Sequence, residues 1–336
     1  MRDVIVETGI RPVSVPTLGR ALSWQDDLKS LIFLYRTIRR FRPDIVHTHK
    51  SKAGLLGRLA ALLAGVPGIV HTFHGNVFHG YFSRIKSRLV VLVERLLGGV
   101  TDRIVTLSPK QRKEILSYRI ASPDRVKSIP LGLVLDRFRR CDGLAGDFRA
   151  ELGAPSDISL VGLVGRLVPI KGVHVFLRAA ANLLTRFPRV CFVVVGDGER
   201  REALESEASS LGIEGSVRFT GYRRDMDRIY ASLDLFVLSS YNEGLPVTII
   251  EALTAGCYVV ATNVGGVSDL ITNERVGMIV EPGNPESLSG AMGRALSEHR
   301  IPPESDRDVI CRRYGIDRLT ADLDCLYREL VSKRNA

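Results

Sequence analysis

Residues 160–199 read LVGLVGRLVPIKGVHVFLRAAANLLTRFPRVCFVVVGDGE. Residues 160–164 are a short apolar run that ends on Gly165-Arg166. Residues 173–186 then carry apolar side chains at three- and four-residue spacing, the period of a helix buried on one face. Residues 191–195 are a second apolar run, closed by Gly196-Asp197-Gly198. Strand, crossover helix and strand make a βαβ unit, and continuous apolar runs of this length are parallel strands covered on both faces.

The alternation continues outward. Toward the C-terminus, strands are expected at 217–220, 235–238, 258–261 and 278–280, with helices at 199–211, 226–232, 247–255 and 286–298. Together with the first two strands this is a complete doubly wound domain. Toward the N-terminus, strands are expected at 44–47, 69–72, 103–106 and 126–129, and helices at 26–41, 53–64, 85–97 and 111–118. Ser108-Pro109 supplies a cap and a proline in the first turn of the last of these. Residues 131–157, with glycines at 132, 143, 146 and 153, read as a linker with its hinge near 153–157, and 314–331 as one more amphipathic helix. The expectation is a Rossmann-like domain over 1–152, a second over 153–313, and residues 314–336 packing back onto the first. Two such domains hold a ligand between them, outside the carboxyl ends of their strands.

The chain has 336 residues, 45% hydrophobic and 25% charged, which is globular and not disordered. No apolar run reaches the ~18–20 residues that span a bilayer, and Met1-Arg2-Asp3 does not open a secretory signal. The cysteines (Cys141, Cys191, Cys257, Cys311, Cys325) are scattered, which argues against a disulfide framework or structural zinc and for a cytoplasmic protein. Charge is uneven: residues 1–150 hold 26 Lys and Arg against 12 Asp and Glu, the remainder 21 against 25. A basic half suits anionic headgroups or a phosphorylated ligand. It lacks the dense basic runs with interleaved aromatics of a nucleic-acid binder, so no nucleic-acid partner is expected.

Several clusters carry chemistry. Arg166 follows a strand and Lys171 precedes a helix, so the pair can grip a diphosphate; the alternative is two solvated surface charges. Gly196 and Gly198 fit a tight turn after a strand, a weak dinucleotide-like signal. In Glu243-Gly244-Leu245-Pro246, Pro246 is expected as first helical residue and Gly256 as C-terminal cap, leaving Gly244 before a helix N-terminus open to phosphate. Glu251 is a carboxylate in an otherwise apolar or small stretch and needs partners, either ribose hydroxyls or a structural ion pair. His47, His49, His71, His74 and His79 gather near two strand ends without the carboxylates of a metal site, so no metal is expected. A neutral hydrogen-bonding histidine suits a sugar. Phe82, Ile85, Leu89, Leu92, Val93 and Leu96 line one face of a basic amphipathic helix, which is read first as core packing and second as a membrane-surface face. No GxSxG elbow or P-loop is present.

Gly165-Arg166-Leu167, Lys171-Gly172, Val195-Gly196-Asp197-Gly198, Glu243-Gly244-Leu245-Pro246, Glu251-Ala252 and Asn263-Val264-Gly265-Gly266-Val267 resemble, in order and spacing, family 4 of the retaining glycosyltransferases, of GT-B fold. Glu243 and Glu251 are its Glu-x7-Glu pair. Pro43-Asp44-Ile45-Val46-His47-Thr48-His49, Lys52-Ala53-Gly54-Leu55, Gly57-Arg58 and His71-Thr72-Phe73-His74-Gly75 are similar to acceptor-domain segments of bacterial members. The resemblance implies two doubly wound domains facing across a cleft, the first incomplete at its N-terminus, because members place a strand, a Gly-Gly loop, a helix and a strand ahead of the segment matching 3–16. That would expose strand edges and apolar surface. Val134 stands where the family carries Asp.

It further implies a hexosyl- or N-acetylhexosaminyltransferase of cell-surface polysaccharide synthesis. A nucleotide-sugar donor, UDP-linked, would be held by Gly165, Arg166, Lys171, Gly196, Gly198, Glu243, Gly244, Leu245 and Glu251. His74, Glu243, Arg166 and Lys171 would act at the reacting centre, without a metal or other cofactor. The acceptor would be a glycan or lipid diphosphate, met at the cytoplasmic face of an anionic membrane. An epimerase of the same fold would turn over donor alone, and a non-catalytic scaffold would bind nucleotide without turnover.

Overall fold

The computed structural model describes residues 12–19, 23–74 and 84–335, with only the backbone of 84–87 and 333–335. Expectations on 3–11, on 75–83 with Gly75, His79 and Phe82, and on the Arg84, Ile85 and Lys86 side chains lie outside the described residues. Two compact units divide the chain: Met1–Ile129 with Asp322–Ala336, and Pro130–Ala321.

In the first unit, α1 (Trp24–Phe41) is capped by Ser23, whose hydroxyl accepts the Asp26 N–H. There follow β1 (Ile45–His49), α2 (Ser51–Ala64), β2 (Gly68–Phe73), α3 (Arg84–Gly99), β3 (Arg103–Thr106), α4 (Pro109–Ser117) and β4 (Val126–Ser128). The described strands form a parallel sheet in the order β1-β2-β3-β4. β2 is buried along its whole length and β1 only in part. Phe73, Val91, Ile104, Ile115, Ile120 and Val126 make the core.

The inward face of α3 is not the one expected. Leu89, Leu92 and Leu96 are 61%, 53% and 69% exposed, while Val91, Glu94, Leu97 and Gly98 are buried. Glu94 accounts for the rotation: it pairs at 2.8 Å with Arg58 of α2, which is itself wholly buried. A carboxylate turned outward would leave that guanidinium unpaired in the interior, which is the costlier arrangement.

The second unit contains α5 (Asp136–Arg139), a 3₁₀ turn at Asp142–Leu144, α6 (Ala145–Leu152), β5 (Ser159–Val164), α7 (Val173–Leu184), β6 (Val190–Val195), α8 (Arg201–Ser210) and β7 (Val217–Gly221). It continues with α9 (Met226–Ser232), β8 (Leu235–Leu238), α10 (Val247–Thr254), β9 (Tyr258–Thr262), α11 (Val267–Leu270), β10 (Gly277–Val280), α12 (Pro285–Ser297) and α13 (Glu304–Tyr314). The parallel sheet runs β10-β9-β8-β5-β6-β7, the doubly wound order. Alternate strand residues feed two cores: Val161, Phe192, Val237 and Val260 face α7, α8 and α12, while Leu160, Val193, Phe236 and Val259 face α9, α10 and α11.

Three expectations need correction. Residues 131–157 are not a linker, and the division falls at Ile129/Pro130. Leu135, Phe138, Cys141 and Phe148 are buried in the second core with Ile229 and Tyr230, so this stretch is a covering layer of the second unit. The helix expected over 314–331 is present as α14 (Ile316–Asn335), with its start moved to Ile316 because Tyr314 closes α13 and Gly315 separates the two; as expected it returns to the first unit, but only from Asp322. Pro246 is the N-cap of α10, not its first helical residue, and Ala255 is its C-cap, with Gly256 next at φ +89°.

Candidate active site

A doubly wound sheet opens a crevice where its strand order reverses, here between the carboxyl ends of β5 and β8. The residues leaving β5 are Gly165 and Arg166, and those leaving β8 are Ser239 through Gly244. The two loops are tied together: the Tyr241 N–H donates to the Ile170 carbonyl at 2.8 Å, and the Ser239 hydroxyl to the Gly172 carbonyl at 2.9 Å.

Lys171 ends a 3₁₀ turn, and its Nζ lies 2.6 Å from Glu243 Oε1. The Ser240 hydroxyl donates to the same oxygen at 2.7 Å. Arg166 is exposed and, among the described residues, has no ion-pair partner. The site thus holds one cation already balanced and one that is not. Arg166 follows Gly165, whose Cβ position would lie 3.8 Å from Lys171 Cδ, so both cations leave the same loop region, and a guanidinium and an ammonium there can each make a charge-assisted contact to an anion.

The glycine loops set this geometry. Gly196 has φ +135°, and a Cβ there would sit 1.9 Å from the Gly165 carbonyl oxygen, so the loops after β5 and β6 touch backbone to backbone. Gly198 is placed as tightly, since a Cβ there would lie 2.5 Å from the Leu167 carbonyl oxygen; its N–H donates to Asp197 Oδ1 at 2.8 Å while the Asp197 carbonyl takes the Leu167 N–H at 3.0 Å. Gly265, at φ +54°, brings the loop after β9 against Glu243, where a Cβ would lie 1.8 Å from the Glu243 carbonyl oxygen. The Gly266 N–H then donates to the Gly244 carbonyl at 2.7 Å. Gly244 is exposed, with Leu245 beside it partly buried, just ahead of α10.

Glu251 lies in α10, partly buried, and accepts the Tyr230 hydroxyl on Oε2 at 3.0 Å. Burial lifts its carboxyl above the ordinary carboxylate range, against the opposing pull of that hydroxyl and of Arg137. Tyr230 and Ser240 are the residues that the sequence reading missed. Ser240 stands three residues before Glu243, the spacing at which a hydroxyl and a carboxylate meet across a turn. Tyr230 carried no local signal, because its partner lies across the unit.

The first unit gathers the histidines at the ends of β1 and β2. His47 uses Nδ1 with the Tyr327 hydroxyl at 2.6 Å and Nε2 with Thr72 Oγ1 at 2.7 Å. His49 stacks on His47 with centroids 4.4 Å apart, and its Nδ1 meets His74 Nε2 at 2.9 Å. His71 is buried against Thr48 Oγ1 at 2.8 Å. Burial pulls His47 down to about 4 and His71 to about 2, and lowers His49 and His74 as well, each in the direction that keeps imidazole neutral. Among the described residues no group of three or more His, Cys, Asp or Glu is arranged to hold a metal ion.

Both units are parallel α/β sheets, and likeness to solved structures extends across nearly the whole chain. The Anabaena HepE protein in complex with UDP-glucose superposes with a TM-score of 0.83 at 21% identity, covering 99% of this chain and 88% of that one. A glycosyltransferase from Rickettsia africae gives 0.82 at 20% identity over 98% and 87%. The fold is therefore GT-B.

The family follows from sequence. The model for glycosyltransferase family 4 matches residues 2–137, and that for group 1 glycosyl transferases matches 146–313. An Escherichia coli protein, UDP-Gal:alpha-D-GlcNAc-diphosphoundecaprenol alpha-1,3-galactosyltransferase, is 31% identical over 97% of this chain and 86% of its own. A D-inositol 3-phosphate glycosyltransferase of Streptomyces scabiei is 32% identical over 77% of this chain and 61% of its own. The chain belongs to the family 4 glycosyltransferases, with the group 1 domain as its second half, and it is a glycosyltransferase. These relatives favour neither an epimerase nor a non-catalytic scaffold.

Proposed function

We propose that this glycosyltransferase moves a sugar from a UDP-linked donor, with retention, onto a glycan carried by a lipid diphosphate in cell-surface polysaccharide synthesis. The observation that carries the chemistry is the pairing of Lys171 with Glu243 beside the unpaired Arg166 at the β5–β8 switch point. Those cations, with the Gly244 and Leu245 backbone ahead of α10, suit the charge that develops on a departing diphosphate. Gly165, Gly196 and Gly198 let the backbone approach it. Glu251 would take ribose hydroxyls, and neutral His74 would hydrogen-bond the donor sugar. The Escherichia coli relative supports the acceptor class, since its own name gives a lipid-diphosphate acceptor.

Among the described residues no helix is long and apolar enough to cross a bilayer. The exposed Leu89, Leu92 and Leu96 of α3 lie among Arg88 and Arg95, also exposed, a combination that suits shallow contact with an anionic surface.

The test is transfer from a panel of UDP-, GDP- and ADP-sugars to a lipid-linked GlcNAc diphosphate, with product anomers read by NMR. UDP-dependent transfer with retained configuration supports the proposal, and transfer from another nucleotide or inversion overturns it. Flotation with phosphatidylglycerol and phosphatidylcholine vesicles tests the membrane part. Equal recovery on both, or no loss in a Leu89→Gln/Leu92→Gln/Leu96→Gln variant, removes that surface from the proposal.

A further inference from the structure

Both carboxylates of the donor site are held in the same way, through one oxygen, by a hydroxyl group from another element or turn. Ser240, at the end of β8 and wholly buried, donates to Glu243 Oε1. Its carbonyl in turn accepts the Thr262 hydroxyl of β9 at 2.6 Å, so the serine backbone is fixed from the neighbouring strand. Tyr230 of α9, 1% exposed, donates to Glu251 Oε2. Its ring is wedged edge-on between Phe138 and Phe236, each 5.7 Å away between centroids.

We propose that Ser240 and Tyr230 are positioning residues, each occupying one oxygen of a donor-site carboxylate so that the other oxygen is presented to the ligand. This rests on the reading above, in which Glu243 and Glu251 meet the donor. An ionised carboxylate accepts only, and it has room for several donors over two oxygens. At Glu243, Lys171 and Ser240 both bond Oε1, and no bond to Oε2 is formed among the described residues. At Glu251 the tyrosine serves Oε2, and Oε1 likewise has no protein donor among the described residues.

Neither free oxygen is among the buried polar atoms left without a partner, so each is open to solvent and can exchange water for a ligand hydroxyl. The choice of neutral hydroxyls matters too. A lysine or arginine at position 230 would neutralise Glu251 and compete with the ligand, whereas a phenol donates one proton and leaves the charge in place. Fixing the carboxylate rotamer in advance also removes an ordering cost from binding.

The experiment is calorimetric titration with three probes, UDP, 2′-deoxy-UDP and 3′-deoxy-UDP, on the full chain and on Tyr230→Phe and Glu251→Gln. Phenylalanine keeps the ring and its aromatic neighbours, and amide exchange verifies that the unit is folded. The full chain should prefer UDP over at least one deoxy nucleotide by tenfold or more. Tyr230→Phe should weaken UDP by about tenfold and cut that preference to about twofold, because the carboxylate no longer points one oxygen at the ribose.

A purely structural tyrosine would weaken all three probes equally and leave the preference intact, which overturns the proposal. If Glu251→Gln also keeps the preference, the ribose reading itself fails. If Glu251→Gln loses it and Tyr230→Phe does not, only the positioning role fails. For the second hydroxyl, Ser240→Ala should lower kcat about tenfold with UDP affinity within twofold, and Ser240→Thr should restore it. Unchanged kcat in Ser240→Ala overturns that half.

Discussion

At the strand ends of the first unit the clustered polar groups are chiefly imidazoles and hydroxyls, with Lys50 directly after β1; at those of the second they are an ammonium, a guanidinium and two carboxylates. The two clusters solve the cost of burying polarity differently. For the histidines, burial lowers each value and so favours the neutral imidazole. The second cluster keeps its charges, pairs Lys171 with Glu243, leaves Arg166 in solvent and half-satisfies Glu251. A neutral, two-way hydrogen-bonding surface suits hydroxyl-rich ligands, and a surface of fixed charge suits phosphate.

Acid should break the symmetry of stability most strongly. His47 and His71 have folded-state values depressed to about 4 and about 2, so the unfolded chain binds more protons below about 6.5. Stability from these groups is present above that pH and is lost as pH falls through 4 and on toward 2. Amide exchange across pH 7 to 4 should find the first unit opening before the second. Simultaneous opening would contradict the account.

Next in size is the buried pair of the first unit. Glu94→Ala leaves Arg58 charged and alone, at a cost of about 3–5 kcal/mol, while Arg58→Met with Glu94→Leu should recover most of it. Thermal unfolding followed by exchange would assign the loss to one unit. A loss below ~1 kcal/mol for Glu94→Ala would mean that the pair does not set the face of α3.

Gly196→Ala should act on the second unit alone, by ~3 kcal/mol, since it strains both the φ angle and the approach to Gly165. An equal shift in the first unit would refute the division. Arg166→Ala and Lys171→Ala should each weaken UDP by about ten- to a hundredfold, with His74→Ala within about twofold. Calorimetry that ranks His74→Ala with the two cations would blur the contrast between clusters. Smallest of all, EDTA treatment should leave transfer rates unchanged, because Lys171 and Arg166 supply the positive charge; activity restored only by added divalent metal would overturn that expectation.

Most of the second unit was legible because its strands are covered on both faces, and such strands are written as uninterrupted apolar runs such as residues 191–195. The charged site was legible for a related reason: Glu251 is conspicuous among apolar neighbours. Other features depended on distant partners. The inward face of α3 follows from Glu94, whose partner Arg58 lies in another helix, and leucines on the opposite face outvote it in any periodicity count. The boundary was misplaced because glycines 132, 143, 146 and 153 suggest flexibility, whereas Phe138 and Phe148, spaced for short helices, bury themselves. Tyr230 was invisible because its partner Glu251 is distant in sequence, whereas Ser240 had its partner three residues away in Glu243.

α14 has a consequence for how the protein is made. The second unit is one unbroken stretch of chain, but the first needs residues from Asp322 onward, which bring the Tyr327 hydroxyl to His47 and Glu329 to Lys127. A ribosome synthesises from the N-terminus, so the half translated first is the half that closes last. Until residues 322–335 emerge, the histidine cluster lacks its tyrosine, and the first unit waits on the synthesis of the whole of the second.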